Sequence, residues 1–193
     1  MLWDRTARIV TEILAPAVLV ATLMLLVGWH AGAAPGVSRW WGLPGALFAA
    51  GLPMVYVLRG VRRGKLTSHH IPEREHRMVP LAVGVASVAL GLIALILLGA
   101  PRDVVALLAA GGTGLLVYTA VTRWWKMSIH AGVAAGTSAT LVTLYGPLLL
   151  LTVPLVVLAG WARVRLSAHT TAQVVAGALV GAVIAGSVFP ALR

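Results

Sequence analysis

From Pro80 to Ala100 the chain runs 21 residues without a charged side chain, and Ser87 carries the one hydroxyl. At about 1.5 Å of rise per residue, a helix of that length spans roughly 30 Å, the thickness of a bilayer's hydrocarbon core. Further apolar stretches fall at about 9–29, 43–59, 103–123, 129–145, 147–162 and 171–190. In lipid a helix satisfies its own backbone groups, so these runs predict an all-α polytopic transmembrane bundle of six to seven spans, with seven as the count. The apolar stretch 129–162 exceeds one crossing, and Tyr145-Gly146-Pro147 near its middle predicts the turn that divides it. Pro154 predicts a kink in the segment that follows. Trp29, Trp40, Trp41, Trp124, Trp125 and Trp161 fall at span ends, where an indole sits between lipid and water.

Composition narrows the class further. Of 193 residues, 60% are hydrophobic and 10% charged, with no Cys, which removes disulfides and thiolate metal sites. The net charge of +10 resides in short loops between apolar segments, so it points to anionic lipid headgroups and topology and away from nucleic acid. Met1-Leu2-Trp3-Asp4-Arg5 leads into the first apolar stretch without a small-residue cleavage pattern and is read as part of a retained first helix. No composition break or fixed-period repeat divides the chain, so residues 1–193 are expected to form a single integral membrane domain. Gly132-(three residues)-Gly136 and Gly177-(three residues)-Gly181 have the spacing that lets helices approach closely in lipid. They predict packing within the chain, with a homo-oligomer as the alternative.

Seven crossings put the loops at 60–79, 124–128 and 163–170 on one face, together with the N-terminus. Twelve of the 15 Lys and Arg residues then lie on that face, while Arg39, Arg102 and Arg193 lie opposite. The positive-inside rule makes the motif face cytoplasmic, in a multi-pass protein of the cell membrane. These loops also hold polar groups that need a reason to sit at a membrane boundary: His69, His70, Arg74, His76 and Arg77; then Lys126, Ser128 and His130; then Arg163, Arg165 and His169. Imidazoles perform nucleophilic and acid–base work, and guanidinium groups hold phosphate, so the expected substrate is a phosphorylated lipid. Plainer readings stand beside this one. Arg74 and Arg77 serve equally as topology signals, His130 as a packing or capping residue, His169 as an interfacial histidine bonded to backbone, and Arg165 as a headgroup contact. The clustered histidines are not read as a zinc site, because no carboxylate or thiolate is arranged around them in the sequence.

Lys126-Met127-Ser128-Ile129-His130 and Arg163-(five residues)-His169-(three residues)-Gln173 resemble the second and third signatures of the type 2 phosphatidic acid phosphatase superfamily, P-S-G-H and S-R-x5-H-x3-D. The local counterpart of that family's K-x6-R-P element is His70-(six residues)-Arg77, and the resemblance covers a phosphatase-like core at about 60–185. It implies that His169 attacks phosphorus to form a phosphohistidine and that His130 protonates the departing lipid oxygen. It further implies that Arg163, Arg77, Arg74, His70, Ser128 and Lys126 bind the phosphate, and that Gln173 orients His169. No metal or other cofactor enters that scheme. The chain departs from the family pattern at Met127, Ile129, Ala162 and His70, and most consequentially at Gln173, which stands where the family has Asp. A neutral amide orients an imidazole without offsetting its positive charge, and Glu73 or Glu75 is the expected substitute carboxylate. The implied substrates are a phosphatidate-like lipid or a polyprenyl phosphate or diphosphate. The alternatives are a small transporter or binding protein that recognises a phosphate headgroup without cleaving it and, more distantly, a vanadate-dependent peroxidase.

Overall fold

The computed structural model describes residues 2–71 and 75–193, and for Glu75 the backbone alone. Among them the chain forms eight helical segments and no strand: α1 (Leu2–Ile13), α2 (Pro16–Ala31), α3 (Arg39–Arg62), α4 (Met78–Leu97), α5 (Arg102–Thr122), α6 (Ile129–Tyr145), α7 (Pro147–Arg165) and α8 (Thr171–Leu192). Five of these, α3, α4, α5, α7 and α8, are 19 to 24 residues long and apolar enough to cross a membrane. Large apolar side chains cover their outer surfaces, among them Leu97, Leu151 and Val183. A multi-pass membrane bundle follows.

The seven expected crossings resolve into these five helices, one broken pair and one shorter helix. Residues 9–29, read as a single span, are instead two helices, α1 and α2, bent by 41° at Leu14-Ala15. Pro16 is the cause. It disfavours helical geometry in the residue before it, and Ala15 is extended at φ −62°, ψ 141°. The seventh element, α6, has only 17 residues and lies against α8 along most of its length. Its bounds are set locally: the Ser128 hydroxyl accepts from Ala131 N at its start, and Gly146, at φ +90°, ends it. Pro147 then opens α7 with a 3₁₀ turn, so Pro154 lies in the first α-helical turn and does not kink a helix interior.

Small residues draw the inner helices together. A Cβ on Gly181 would strike the Gly132 carbonyl, one on Gly177 the Ser128 carbonyl, and one on Gly132 the Tyr118 hydroxyl. Tyr118 donates from α5 to the Gly177 carbonyl at 2.7 Å. The two glycine pairs therefore pack α6 on α8 within one chain. In α3 a π turn occupies Leu47–Gly51, just before Pro53, whose missing N–H leaves carbonyls one turn back unpaired. The Ser87 hydroxyl of α4 donates to one of them, Phe48 O, at 2.7 Å.

The two ends of the bundle differ. At one, Arg39 stacks on Trp29 at 4.6 Å, His30 meets Tyr145 edge-on at 5.1 Å, and Arg193 pairs with Asp103 at 3.3 Å. The other end gathers Glu12, the turn at His69-His70, Arg77, Lys126–Ser128 and Arg163–His169.

Candidate active site

The spacing between Arg163 and His169 has a local cause. α7 ends at Arg165, Ser167 takes a left-handed φ of +53°, and the chain doubles back so that the amides of Ala168 and His169 both donate to the Arg163 carbonyl, at 3.0 and 3.2 Å. Six residues is thus the interval that returns His169 to the side of Arg163. Thr170 then caps α8: its hydroxyl accepts from Gln173 N at 3.3 Å, and the Gln173 side-chain oxygen accepts from Thr170 N at 3.1 Å.

That same oxygen lies 3.3 Å from His169 Nδ1, and the Lys126 carbonyl lies 3.1 Å from it. Both are acceptors, so Nδ1 carries the proton and Nε2 keeps its lone pair. Burial first, then the guanidinium groups of Arg163 and Arg77, push the His169 pKa down to about 4. His169 is a neutral imidazole at pH 7, in the tautomer that exposes Nε2. Ser128 N donates to the Gln173 carbonyl at 3.1 Å and completes the stitch between the two loops.

His130, in the first turn of α6, is buried, and its Nε2 has no partner among the described residues. Arg163 is also buried, and its Nε likewise has none. Leaving such groups unpaired costs about 1–3 kcal/mol each, more for a charged group. Arg77 is buried and donates from Nε to the Ile71 carbonyl at 2.8 Å. Ile71 itself sits at φ +43°, a region that a β-branched residue rarely adopts.

One cavity of about 340 Å³ brings His69, His70, Arg77, His130, Arg163 and His169 together. From this polar end it extends between the helices past Leu23, Met24, Leu107, Leu115, Tyr118 and Ile184. The three loops expected on one face do converge. Lys126, Ser128 and Gln173 are not among the lining residues. Lys126 contributes its carbonyl, Ser128 caps α6 with a fully buried side chain, and Gln173 orients His169. Ser128 thereby takes the Ala131 amide and leaves those of Ile129 and His130 as the first-turn donors of α6. Arg74 lies outside the described residues, as do Glu73 and the Glu75 side chain.

Glu12 is the residue that sequence reasoning missed. Its carboxylate accepts from His70 Nε2 at 2.9 Å and from His69 Nε2 at 3.1 Å. The expectation that no carboxylate stands among the histidines is therefore overturned. The bend at Pro16 is responsible, because it swings the end of α1 over the loop. Burial lowers the His70 pKa against the opposing pull of Glu12, so His70 does not replace a lysine as a fixed positive charge. A usable signal was present: the chain has only five acidic residues, and one stands beside a helix break. Compared with family models, with curated proteins and with solved structures, the chain matches none.

Proposed function

We propose that the protein is a membrane-embedded phosphatase that hydrolyses a lipid phosphate or polyprenyl (di)phosphate through a phosphohistidine. One observation carries this reading: two buried nitrogens without partners among the described residues, Arg163 Nε and His130 Nε2, belong to residues lining the same cavity as a neutral histidine whose lone pair is fixed on Nε2. A tetrahedral anion supplies acceptors for both nitrogens and an electrophile for the third. The apolar extension of the cavity suits an acyl or prenyl chain, and its volume falls within the roughly 300–1,000 Å³ usual for small-molecule sites.

In this reading the His169 Nε2 lone pair attacks phosphorus as the P–O bond to the lipid breaks. His130, protonated once the anionic headgroup is bound beside it, gives its proton to the leaving oxygen. Water then attacks the phosphohistidine, His130 takes a proton from it, and the P–N bond breaks to release inorganic phosphate. Arg163, Arg77 and the first amides of α6 hold the equatorial oxygens. Fixed donors of this kind contribute about 3–4 kcal/mol each.

Purified protein incubated with phosphatidate, phosphatidylglycerophosphate and polyprenyl diphosphate tests the proposal. Phosphate release that disappears in His169→Ala and His130→Ala supports it. Headgroup binding with no release from any substrate refutes it in favour of a non-hydrolysing binder, a reading to which the neutral Gln173 lends support. The charge asymmetry of the loops supports a cytoplasmic site in the cell membrane. Because the chain has no Cys, Ser167→Cys labelled by an impermeant reagent in cells and in inverted vesicles tests that sidedness. Labelling in intact cells would reverse the assignment.

A further inference from the structure

We infer that Glu12, His69 and His70 form a binding site for a first-row divalent cation, of which Zn²⁺ is the best match, at the mouth of the anion cavity. Among the described residues these three are the group whose potential ligand atoms lie close enough to share one ion, all within 4.8 Å of one another. The inference does not depend on hydrolysis.

The geometry is that of a site with room at one position. His70 Nε2 and His69 Nε2 lie 2.9 and 3.1 Å from the two Glu12 oxygens. Ligand atoms about 2.0–2.1 Å from a tetrahedral zinc are separated by roughly 3.3 Å, so each His–Glu12 pair needs only a few tenths of an ångström of expansion, while the three ligand atoms already lie within 4.8 Å of one another. On binding, each Nε2 gives up the proton it donates to Glu12, the neutral ring passing to its Nδ1–H tautomer, and turns the freed lone pair to the metal. Two imidazoles and one carboxylate favour zinc and its neighbours over Mg²⁺ or Ca²⁺, which prefer all-oxygen shells. His69 and His70 both border the cavity, and the His70 ring lies 5.3 Å from that of His130. The remaining coordination position is therefore available to water or to an oxygen of the bound anion.

The local backbone points the same way. The Ile71 amide donates to the Ser68 carbonyl at 3.2 Å, which makes His69 and His70 the central pair of a turn. Neither residue belongs to the Gly, Pro, Asn and Asp group that turns favour for backbone reasons. Neighbouring side chains on an extended strand point to opposite faces, whereas here the two rings lie 4.1 Å apart and meet one carboxylate. That carboxylate precedes them by 57 and 58 residues and reaches them because the chain breaks at Ala15-Pro16.

The test uses the full chain purified without a polyhistidine tag, stripped with EDTA and titrated with Zn²⁺, or with Co²⁺ for its visible absorption. One ion per chain is expected, with binding at least tenfold weaker in Glu12→Gln and in His70→Ala. His30→Ala, at the opposite end of the bundle, is expected to bind as the wild type does. Glu12→Gln retains a side chain able to tether the loop, so unchanged helicity by circular dichroism separates lost binding from lost folding. Substoichiometric uptake, or equal affinity in the wild type and both variants, overturns the proposal and leaves Glu12 as a loop tether. Both readouts are independent of turnover, so a protein that binds zinc without releasing phosphate separates this inference from the phosphatase reading.

Discussion

Replacing Gln173 by Glu puts a negative charge where the structure holds a neutral oxygen, 3.3 Å from His169 Nδ1. The substitution preserves side-chain length and the N3 position of the α8 capping box, where Glu is as suitable as Gln, so the fold is expected to stand. An opposite charge at this range raises the pKa of its partner by about 1–3 units. His169 should then titrate at about 5–7 in place of about 4. Each unit corresponds to 1.36 kcal/mol of preference for the imidazolium. If the proposed attack on phosphorus develops about half of the positive charge on the ring, phosphate release should rise about 3- to 30-fold at pH 8, where the ring remains neutral before attack. The assay pairs an NMR titration of the His169 ring with single-turnover phosphate release. A raised pKa without any gain in rate refutes His169 as the group that acquires charge in the slow step. An unmoved pKa refutes the contact itself.

The electrostatics make further demands. On the phosphatase proposal the wild-type acid limb should fall at about pH 4, because His169 is neutral and able to attack above that value and is lost to protonation below it. Arg163→Met removes the larger of the two guanidinium contributions, so it should move that limb upward and weaken vanadate binding about 10- to 150-fold, the equivalent of one charge-assisted hydrogen bond worth roughly 1.5–3 kcal/mol. The folded pKa of His169 lies below that of the unfolded chain, about 6.5, so between pH 6.5 and 4 the unfolded state binds the extra proton. Thermal unfolding in detergent should therefore show a stability contribution complete above pH 6.5 that is lost as pH falls toward 4, and His169→Gln should flatten this dependence. Gly181→Ala drives a Cβ into the Gly132 carbonyl; a loss of about 1–3 kcal/mol is expected, and an unchanged unfolding midpoint would contradict the close packing of α6 on α8.

The spans were legible because lipid leaves a backbone few options, and runs such as Pro80–Ala100 carry no competing signal. The limits of α6 were legible for a different reason: Ser128 and Gly146 each carry a local terminator, so residues 129–145 are helical as expected. The interval between Arg163 and His169 was readable because it is the product of a single left-handed turn at Ser167. By contrast, hydropathy averaged over 9–29 hid the break at Pro16, since a proline between Ala15 and Ala17 barely lowers the mean. Glu12 was lost with it. A carboxylate in an amphipathic segment looks solvent-facing until the helix that carries it is bent over a loop some 57 residues away. Ser128 and Lys126 show a third limit: their positions were identified, yet their work is done by a helix cap and a carbonyl, which side-chain identity does not reveal.

The shortness of α6 has a kinetic consequence. Seventeen residues reach only about 25 Å, less than the hydrocarbon thickness, so the helix that carries His130 in its first turn stops short of at least one surface of the bilayer. If the start of that helix is the recessed end, the proposed lipid substrate would reach the cavity by sliding sideways and dipping its headgroup, while its tail stays among its neighbours. On the phosphatase proposal, turnover would then follow the mole fraction of substrate in the surrounding leaflet, and diluting the vesicles without changing their composition would leave the rate per protein unaltered.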